Sequence, residues 1–247
     1  MPFNQMLNNT TVIVIPTYNE KDNIKKLISE ILKLSLPVDI LVVDDDSPDE
    51  TGDIVESMKE TTPNLDIMHR KKKEGLGPAY VEAFRYILNE KKYDYIIQMD
   101  ADFSHNPKDI PRLLEAARSY DVVVGSRYIK GGGVSDQWST LRKLISRMGN
   151  IYARIITGLN IKDCTAGFKC YKWEALQSIS LEKIFLNGYG FQIQILYELN
   201  KANLSMGEIP IFFDERTKGV SKMNLKIVVE AFFSLILLRF KNMFFKK

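Results

Sequence analysis

At 247 residues, 45% hydrophobic and 26% charged, the chain has the composition of an ordinary globular protein long enough for one large α/β core, and nothing marks it as disordered or low-complexity. Its 34 basic and 31 acidic residues leave a formal net charge of +3, too small for this length to favour nucleic acid as a partner. Two cysteines (Cys164, Cys170) and two histidines (His69, His105) are too few for a disulfide framework or a zinc site, so reduced thiols and a cytosolic setting are expected.

Residues 1–9 lack the basic start and apolar run of a signal peptide, which leads to the expectation that the body of the protein faces the cytoplasm. The continuous β-branched run Thr11 to Ile15, stopped by Pro16, reads as a fully buried parallel strand. The loop Thr17-Tyr18-Asn19-Glu20 follows, and then Ile24, Leu27, Ile28, Ile31 and Leu32 recur at helical spacing. A second strand, Ile40 to Val43, runs into Asp44-Asp45-Asp46-Ser47-Pro48-Asp49, and Ile54, Val55 and Met58 mark the helix behind it. Three aspartates at a buried strand end are costly unless they bind something, although an acidic turn with a helix cap is the alternative.

A third strand around Asp66 to His69 leads through Arg70 to Lys73 and Gly75-Leu76-Gly77 into a helix carrying Ala79, Ala83, Phe84, Ile87 and Leu88. The glycines allow close backbone approach and the helix start favours anions, but a basic run alone suits a solvated loop equally well. The fourth strand, Tyr95 to Met99, stops at Asp100-Ala101-Asp102, and Pro107 forbids its continuation. Carboxylates spaced Asp-x-Asp at a strand end offer hard oxygen donors to Mg2+ or Mn2+ carrying a diphosphate. A helix from about Asp109 to Ala117 and a fifth strand, Val122 to Val124, leading into Gly125-Ser126-Arg127, complete five strands alternating with helices. That pattern predicts a parallel Rossmann-like sheet. The first strand is not followed by Gly-x-Gly-x-x-Gly, which argues against a dinucleotide site.

In order, Pro16-Thr17-Tyr18-Asn19-Glu20, Val42-Val43-Asp44-Asp45, Gly75-Leu76-Gly77, Met99 to His105 and Gly125-Ser126-Arg127-Tyr128 resemble the inverting GT-A glycosyltransferases of family 2. More narrowly, the chain resembles the dolichyl-phosphate mannosyltransferases, through Gly131 to Val134, Trp138, Arg142, Asp163 to Phe168, Gly188 to Gln192, and Arg216 with Lys222. That resemblance implies a GT-A domain over residues 1–222, GDP-mannose as donor and a dolichyl or other polyprenyl phosphate as acceptor. It places the nucleotide sugar on Pro16, Tyr18, Glu20, Val43, Asp44, Asp45, Asp100, Ala101, Asp102, Arg216 and Lys222, and a divalent metal on Asp100 and Asp102. Some relatives have Gln as a third ligand where this chain has Ser104, a weaker donor that could act through a water. Arg127 and Arg142 would hold the acceptor phosphate, and the catalytic set would be Asp102, Arg127 and Arg142. Trp138 beside the glycines suggests a hinged lid.

A phosphate acceptor also fits the chemistry. A sugar hydroxyl needs a general base, often supplied by an acidic Glu-Asp pair, and this sequence contains no Glu-Asp dipeptide. A phosphate monoester is already an anionic nucleophile at neutral pH, so cations to position it suffice. UDP-glucose as donor is the nearest alternative, and a nucleotidyltransferase or a silent nucleotide-binding subunit is the alternative from another class. A nucleotidyltransferase should carry a Gly- and Arg-rich phosphate loop where Pro-Thr-Tyr-Asn-Glu stands, and a silent subunit should have lost the Asp-x-Asp or the arginines.

From Asn224 to Lys247 the chain alternates Phe, Leu and Ile with Lys226, Glu230, Arg239, Lys241, Lys246 and Lys247. The uncharged stretch Ala231 to Leu238 is far shorter than the ~20 apolar residues that span a bilayer. Residues 223–247 are therefore expected to form an amphipathic helix that lies in a membrane interface or binds a small membrane-anchoring subunit. The setting expected is the cytoplasmic face of a membrane, endoplasmic reticulum in a eukaryote or plasma membrane in a prokaryote, with peripheral attachment.

Overall fold

In the computed structural model, which describes residues 10–214 and 234–239, the β-branched runs form the strands of one central sheet. In chain order come β1 (Thr11–Thr17), α1 (Lys21–Leu32), β2 (Val38–Asp44), α2 (Thr51–Lys59), β3 (Leu65–His69), α3 (Leu76–Glu90) and β4 (Tyr95–Gln98). A 3-10 turn (Pro107–Asp109) opens α4 (Ile110–Ala117), and then follow β5 (Val122–Ser126), β6 (Gly133–Val134), α5 (Thr140–Thr157), β7 (Lys169–Lys172) and α6 (Trp173–Gln177). The described part of the domain ends with α7 (Gly188–Lys201), β8 (Met206–Pro210) and β9 (Phe212–Phe213). Both cysteines are free and buried, as expected.

Alternation along each strand divides the core between the two faces of the sheet. Val12, Val14, Leu41, Val43, Ile96, Val122 and Val124 face one layer, where Tyr80, Phe84 and Phe191 of α3 and α7 meet them. Ile13, Ile15, Ile40, Val42, Ile97 and Val123 face the other, against α1, α4 and Val55 of α2. Helix α1 shows how the sequence does this: Ile24, Leu27, Ile28 and Ile31 are fully buried while lysines occupy its outer side.

The sheet differs from the expected five-strand parallel pattern in gaining two strands, β8 parallel to β5 at one edge and β7 inside the sheet. Its order is β3-β2-β1-β4-β7-β5-β8, and β7 enters antiparallel between β4 and β5. Sequence reading missed this strand because Lys169-Cys170-Tyr171-Lys172 is short and bounded by lysines. Lys169 is nevertheless fully buried. Its Nζ donates to the Ala166 carbonyl at 2.5 Å and to Gln192 Oε1, which also receives Gln98 Nε2 at 2.7 Å, while Tyr171 donates to Gln98 Oε1 at 2.8 Å. The network satisfies the polar groups that the insertion of β7 brings into the core.

Burial pulls the Lys169 ammonium down from 10.5 to about 7, against the opposing pull of Asp163 and Asp100. Between those two values the unfolded chain holds a proton that the folded chain lacks, so stability due to this group rises as pH rises from about 7 to 10.5. Urea midpoints of the native protein and Lys169→Met, followed from neutral to alkaline pH, should shift in the native protein's favour; parallel curves would contradict the assignment.

Candidate active site

The C-terminal edges of β1, β2, β4 and β5 all open on one side, and there a cavity of about 390 Å³ is lined by residues from each. Pro16 comes from the end of β1, Tyr18 and Glu20 from the loop after it, Asp45 from the end of β2, Asp100, Ala101 and Asp102 from the end of β4, and Arg127 from the end of β5. Trp138 and Arg142 enter from the start of α5, and Thr165, Gly167, Tyr189, Gln192 and Phe213 close the remaining wall. Nine residues singled out in the sequence as candidate ligands therefore share one space: Pro16, Tyr18, Glu20, Asp45, Asp100, Ala101, Asp102, Arg127 and Arg142.

Three other candidates sit behind this surface. Val43 is a core residue, fully buried. Asp44 accepts from Thr17 Oγ1 at 2.8 Å and from the Ser47 amide and hydroxyl at 2.9 and 2.6 Å, which ties the first loop to the second. Ser104 is fully buried, and its amide and hydroxyl donate to Asp102 Oδ1 at 3.0 and 2.5 Å. Its hydroxyl thus supports the Asp102 carboxylate instead of lining the cavity itself. Arg216, Lys222 and most of 223–247 lie outside the described residues. Within 234–239 the chain is helical, with Leu235 and Leu238 buried against the core and Leu237 and Arg239 exposed.

The Asp-x-Asp turn is built by local backbone geometry. Phe103 takes a left-handed φ of 64°, which swings the chain away directly after Asp102. His105, stacked on Phe168 with ring centroids 5.0 Å apart, accepts the Asp100 amide on Nδ1 at 3.1 Å. That bond makes Nε2 the protonated nitrogen of the neutral ring, and Nε2 stands 3.9 Å from Asp100 Oδ2. Burial holds the His105 pKa below its ordinary value in spite of the two aspartates.

Buried partners orient the cavity's charges from behind. Asp45, buried, receives Arg70 Nη1, and Arg70 also holds Glu82 at 2.8 Å and Glu74 at 2.9 Å. Lys73 lies 3.6 Å from the centre of the Tyr18 ring, a cation–π contact that joins the basic loop to the first loop. Gly77 donates to Asn187 Oδ1 at 3.1 Å, and any Cβ there would come within 2.6 Å of the Leu186 carbonyl, so the glycine is required by close approach.

Arg127 forms a fork with Asp163, through Nε at 2.7 Å and Nη2 at 2.6 Å, and Nη2 also donates to Thr165 Oγ1 at 2.8 Å. Desolvation opposes the charge, but Asp163 outweighs it and the guanidinium pKa stands above its ordinary value. Arg142 lies flat on Trp138, 3.7 Å from the ring centre, and Trp138 meets Phe213 edge-on at 5.6 Å. The buried Trp138 Nε1 has no hydrogen-bond partner among the described residues. The glycine segment before it is pinned by the pairing of β6 with β9.

Residues 12–180 match the glycosyl transferase family 2 model. The chain belongs to glycosyl transferase family 2. It is 44% identical over 218 residues to an undecaprenyl-phosphate mannosyltransferase of Micrococcus luteus, covering 88% of this chain and 89% of that one. Identity is 39% over 227 residues with a polyprenol monophosphomannose synthase of Mycolicibacterium smegmatis, covering 91% and 85%. Among solved structures, mannosyl-3-phosphoglycerate synthase from Rubrobacter xylanophilus superposes with a TM-score of 0.68 at 21% identity, over 97% of this chain and 75% of that one. Glucosyl-3-phosphoglycerate synthase from Mycobacterium tuberculosis, in complex with Mn2+, UDP and phosphoglyceric acid, gives 0.66 at 18% identity, over 94% and 78%. These structural likenesses establish the GT-A-like fold, a mostly parallel sheet with helices on both faces, which agrees with the expectation from sequence.

Sequence reading flagged the segment Asp163 to Phe168 without a role for Asp163, and it treated Arg70 and Lys73 as a basic run. Asn187 carried no signal at all. Removing the Asp163 carboxylate would leave the Arg127 charge buried without its counter-ion, so Asp163→Asn should lower stability by about 3 kcal/mol. Chemical unfolding at neutral pH measures this, and an unchanged midpoint would refute the pairing's structural weight.

Proposed function

We propose that this chain transfers mannose from GDP-mannose to the phosphate of a polyprenyl lipid, of dolichyl or related type, with inversion at the anomeric carbon. The observation that carries the reading is the shape of the charge within one cavity: Asp100 and Asp102 on the β4 side, Arg127 and Arg142 on the α5 side. The names of the two curated relatives, both acting on a polyprenyl or undecaprenyl phosphate and mannose, support the same substrate classes.

The donor set fits a divalent ion shared with a diphosphate. Among the described residues no group of three His, Cys, Asp or Glu could hold an ion alone, and two carboxylates completed by substrate oxygens is the arrangement that Mg2+ uses. Asp100 and Asp102 would hold Mg2+ or Mn2+, whose charge would neutralise the leaving diphosphate when bound. Ser104 fixes the Asp102 carboxylate, and Tyr18, Glu20 and Asp45 surround the nucleotide end. Arg142, held flat on Trp138, and Arg127, held by Asp163, set the acceptor phosphate opposite the donor. The unpaired indole N–H of Trp138 is a further donor on the same wall. The acceptor phosphate attacks the anomeric carbon as the bond to GDP breaks, and no proton transfer is needed to form the nucleophile.

A peripheral position on the cytoplasmic face of a membrane goes with such an acceptor, residues 223–247 acting there as an interface or partner-binding segment. Among the described residues no helix is long and apolar enough to cross a membrane.

Incubation with Mg2+ or Mn2+, polyprenyl phosphate and a panel of nucleotide sugars tests the reading: mannosyl lipid from GDP-mannose is expected, and glucosyl lipid from UDP-glucose would replace it. Asp102→Asn should cut turnover by about a thousandfold or more without unfolding the protein, and chelation should do the same. Full turnover in EDTA would exclude a metal role. Arg142→Ala should raise the KM for the lipid phosphate about tenfold or more while leaving GDP-mannose binding unchanged, and equal loss of donor affinity would remove Arg142 from the acceptor side.

A further inference from the structure

Gln192 is only 2% exposed, yet it lines the cavity. It stands in the second turn of α7, whose rotation is fixed on both sides of it. Phe191 lies nearly parallel to the Tyr80 ring, at 4° and 5.6 Å between centroids, and Gln194 Oε1 accepts the amides of Phe185 and Leu186 at 3.1 and 3.0 Å. A side chain so placed has little freedom to turn away from the cavity.

One end of its carboxamide is used twice and the other not at all. Oε1 accepts both Lys169 Nζ and, at 2.7 Å, Gln98 Nε2. An ammonium group carries donors alone, and Gln98 has to offer its NH2 because its own oxygen takes the Tyr171 hydroxyl at 2.8 Å. Both neighbours therefore demand the oxygen of Gln192, which decides the orientation of its amide on chemical grounds. Nε2, with two N–H groups, has no hydrogen-bond partner among the described residues. It is unpaired without being sealed off, and in a residue this deeply buried the space it meets is the cavity. A buried amide donor without a partner is costly, so this one is kept for a ligand.

Its neighbours place the amide between the two charged walls. Gln98 stands two residues before Asp100, and Lys169 Nζ also donates to the Ala166 carbonyl at 2.5 Å. The next residue, Gly167, is so near the carboxylate wall that a Cβ there would lie 3.0 Å from Asp100 Oδ2, while Thr165 on the other side holds Arg127 at 2.8 Å. With a leaving diphosphate at the aspartates and an acceptor phosphate at the arginines, the group between them is the sugar. Charge agrees with that placement. The Lys169 ammonium is withdrawn behind the amide, so this part of the wall offers N–H without a net charge, which suits a hydroxyl oxygen, whereas the phosphates have cations of their own. We propose that Gln192 Nε2 donates a hydrogen bond to a hydroxyl of the sugar being transferred, and that Lys169 and Gln98 are positioning residues that hold the amide in this orientation. The inference deepens the sugar-transfer reading above and rests on it for the presence of a sugar.

The test is calorimetric titration of the full chain with GDP and with GDP-mannose in the presence of Mg2+, the fold of each variant being checked by thermal melting. Gln192→Met keeps the volume and removes the donor, so the Kd for GDP-mannose should rise about tenfold while that for GDP is unchanged. Gln192→Glu keeps an inner oxygen for Lys169 and Gln98 and loses only the outward N–H groups, so it covers the case in which the Met variant fails to fold, and the same selective loss is expected of it. Lys169→Met frees the amide to turn, and the advantage of GDP-mannose over GDP should narrow with the Kd for GDP held. Equal weakening of GDP and GDP-mannose in a folded Gln192 variant would overturn the proposal, because the residue would then be structural. An unchanged Kd for GDP-mannose with a raised KM for the lipid phosphate would overturn it too, by moving Gln192 to the acceptor. If the native chain takes UDP-glucose in place of GDP-mannose, the mannose assignment fails, and the same comparison of UDP with UDP-glucose decides the role of Gln192. A native chain that binds neither sugar nucleotide more tightly than its nucleotide has no sugar contact to lose, and the proposal falls.

Discussion

A buried arginine held by a buried aspartate fixes the geometry on which one wall of the cavity depends. Asp163 is fully buried and Arg127 nearly so, and neither charge could remain there alone. Each partner is anchored by a different element. Arg127 leaves the end of β5, and its own amide donates to Asp163 Oδ2 at 2.9 Å. Asp163 is placed from β8, because Glu208 accepts the amides of Lys162 and Asp163 at 3.0 and 3.1 Å. Thr165, which receives Arg127, exchanges hydrogen bonds with Asn150 of α5. One ion pair therefore locks β5, β8 and α5 together at the edge of the cavity, and its desolvation cost is offset by six or so well-directed hydrogen bonds.

The same arrangement recurs on the opposite wall, where Arg70 backs Asp45 and Ser104 backs Asp102. In both halves the polar group facing the cavity is oriented by a second polar group that is withdrawn from water. Such a site loses little entropy on binding, since its side chains are fixed before the ligand arrives. It also explains why Asp44, the last residue of β2, does not reach the cavity: its carboxylate is engaged by Thr17 and Ser47 in joining the two loops.

Much of this was legible in the sequence, and the reason is physical. Parallel strands buried on both faces are continuous β-branched runs, and residues at their C-terminal ends converge because every strand points the same way. Pro16, Asp45, Asp100 and Arg127 each stand within two residues of the C-terminal end of such a strand. What escaped notice breaks those rules. Strand β7 runs against its neighbours and starts with a lysine, so neither composition nor period marks it. Arg70, Asp163 and Asn187 act through partners 25, 36 and 110 residues away in the chain. Pairings of that range have no local signature. The apolar positions Leu141, Leu144, Met148, Ile151 and Ile155 of α5 recur at helical spacing, but spacing alone cannot tell a buried face from an exposed one, and only the packed structure shows that α5 turns Asn150, Ala153 and Thr157 to the core instead.

That orientation bears on how a lipid and a sugar nucleotide can meet at one carbon. A nucleotide sugar diffuses in from water, whereas a lipid phosphate is confined to a plane, so the enzyme must bring an aqueous cavity to within a few ångströms of that plane. A loop could not hold the required height, because its position would vary by more than the tolerance of an in-line displacement. Helix α5 has the needed rigidity, being 18 residues long and capped by Ser139 at one end and Gly158 at the other. Arg142 stands at its cavity end, over the Trp138 ring, and its neighbour Leu141 is exposed. A cation at the cavity and exposed apolar side chains thus lie on a single rigid element, and the distance between them is set by helix geometry alone.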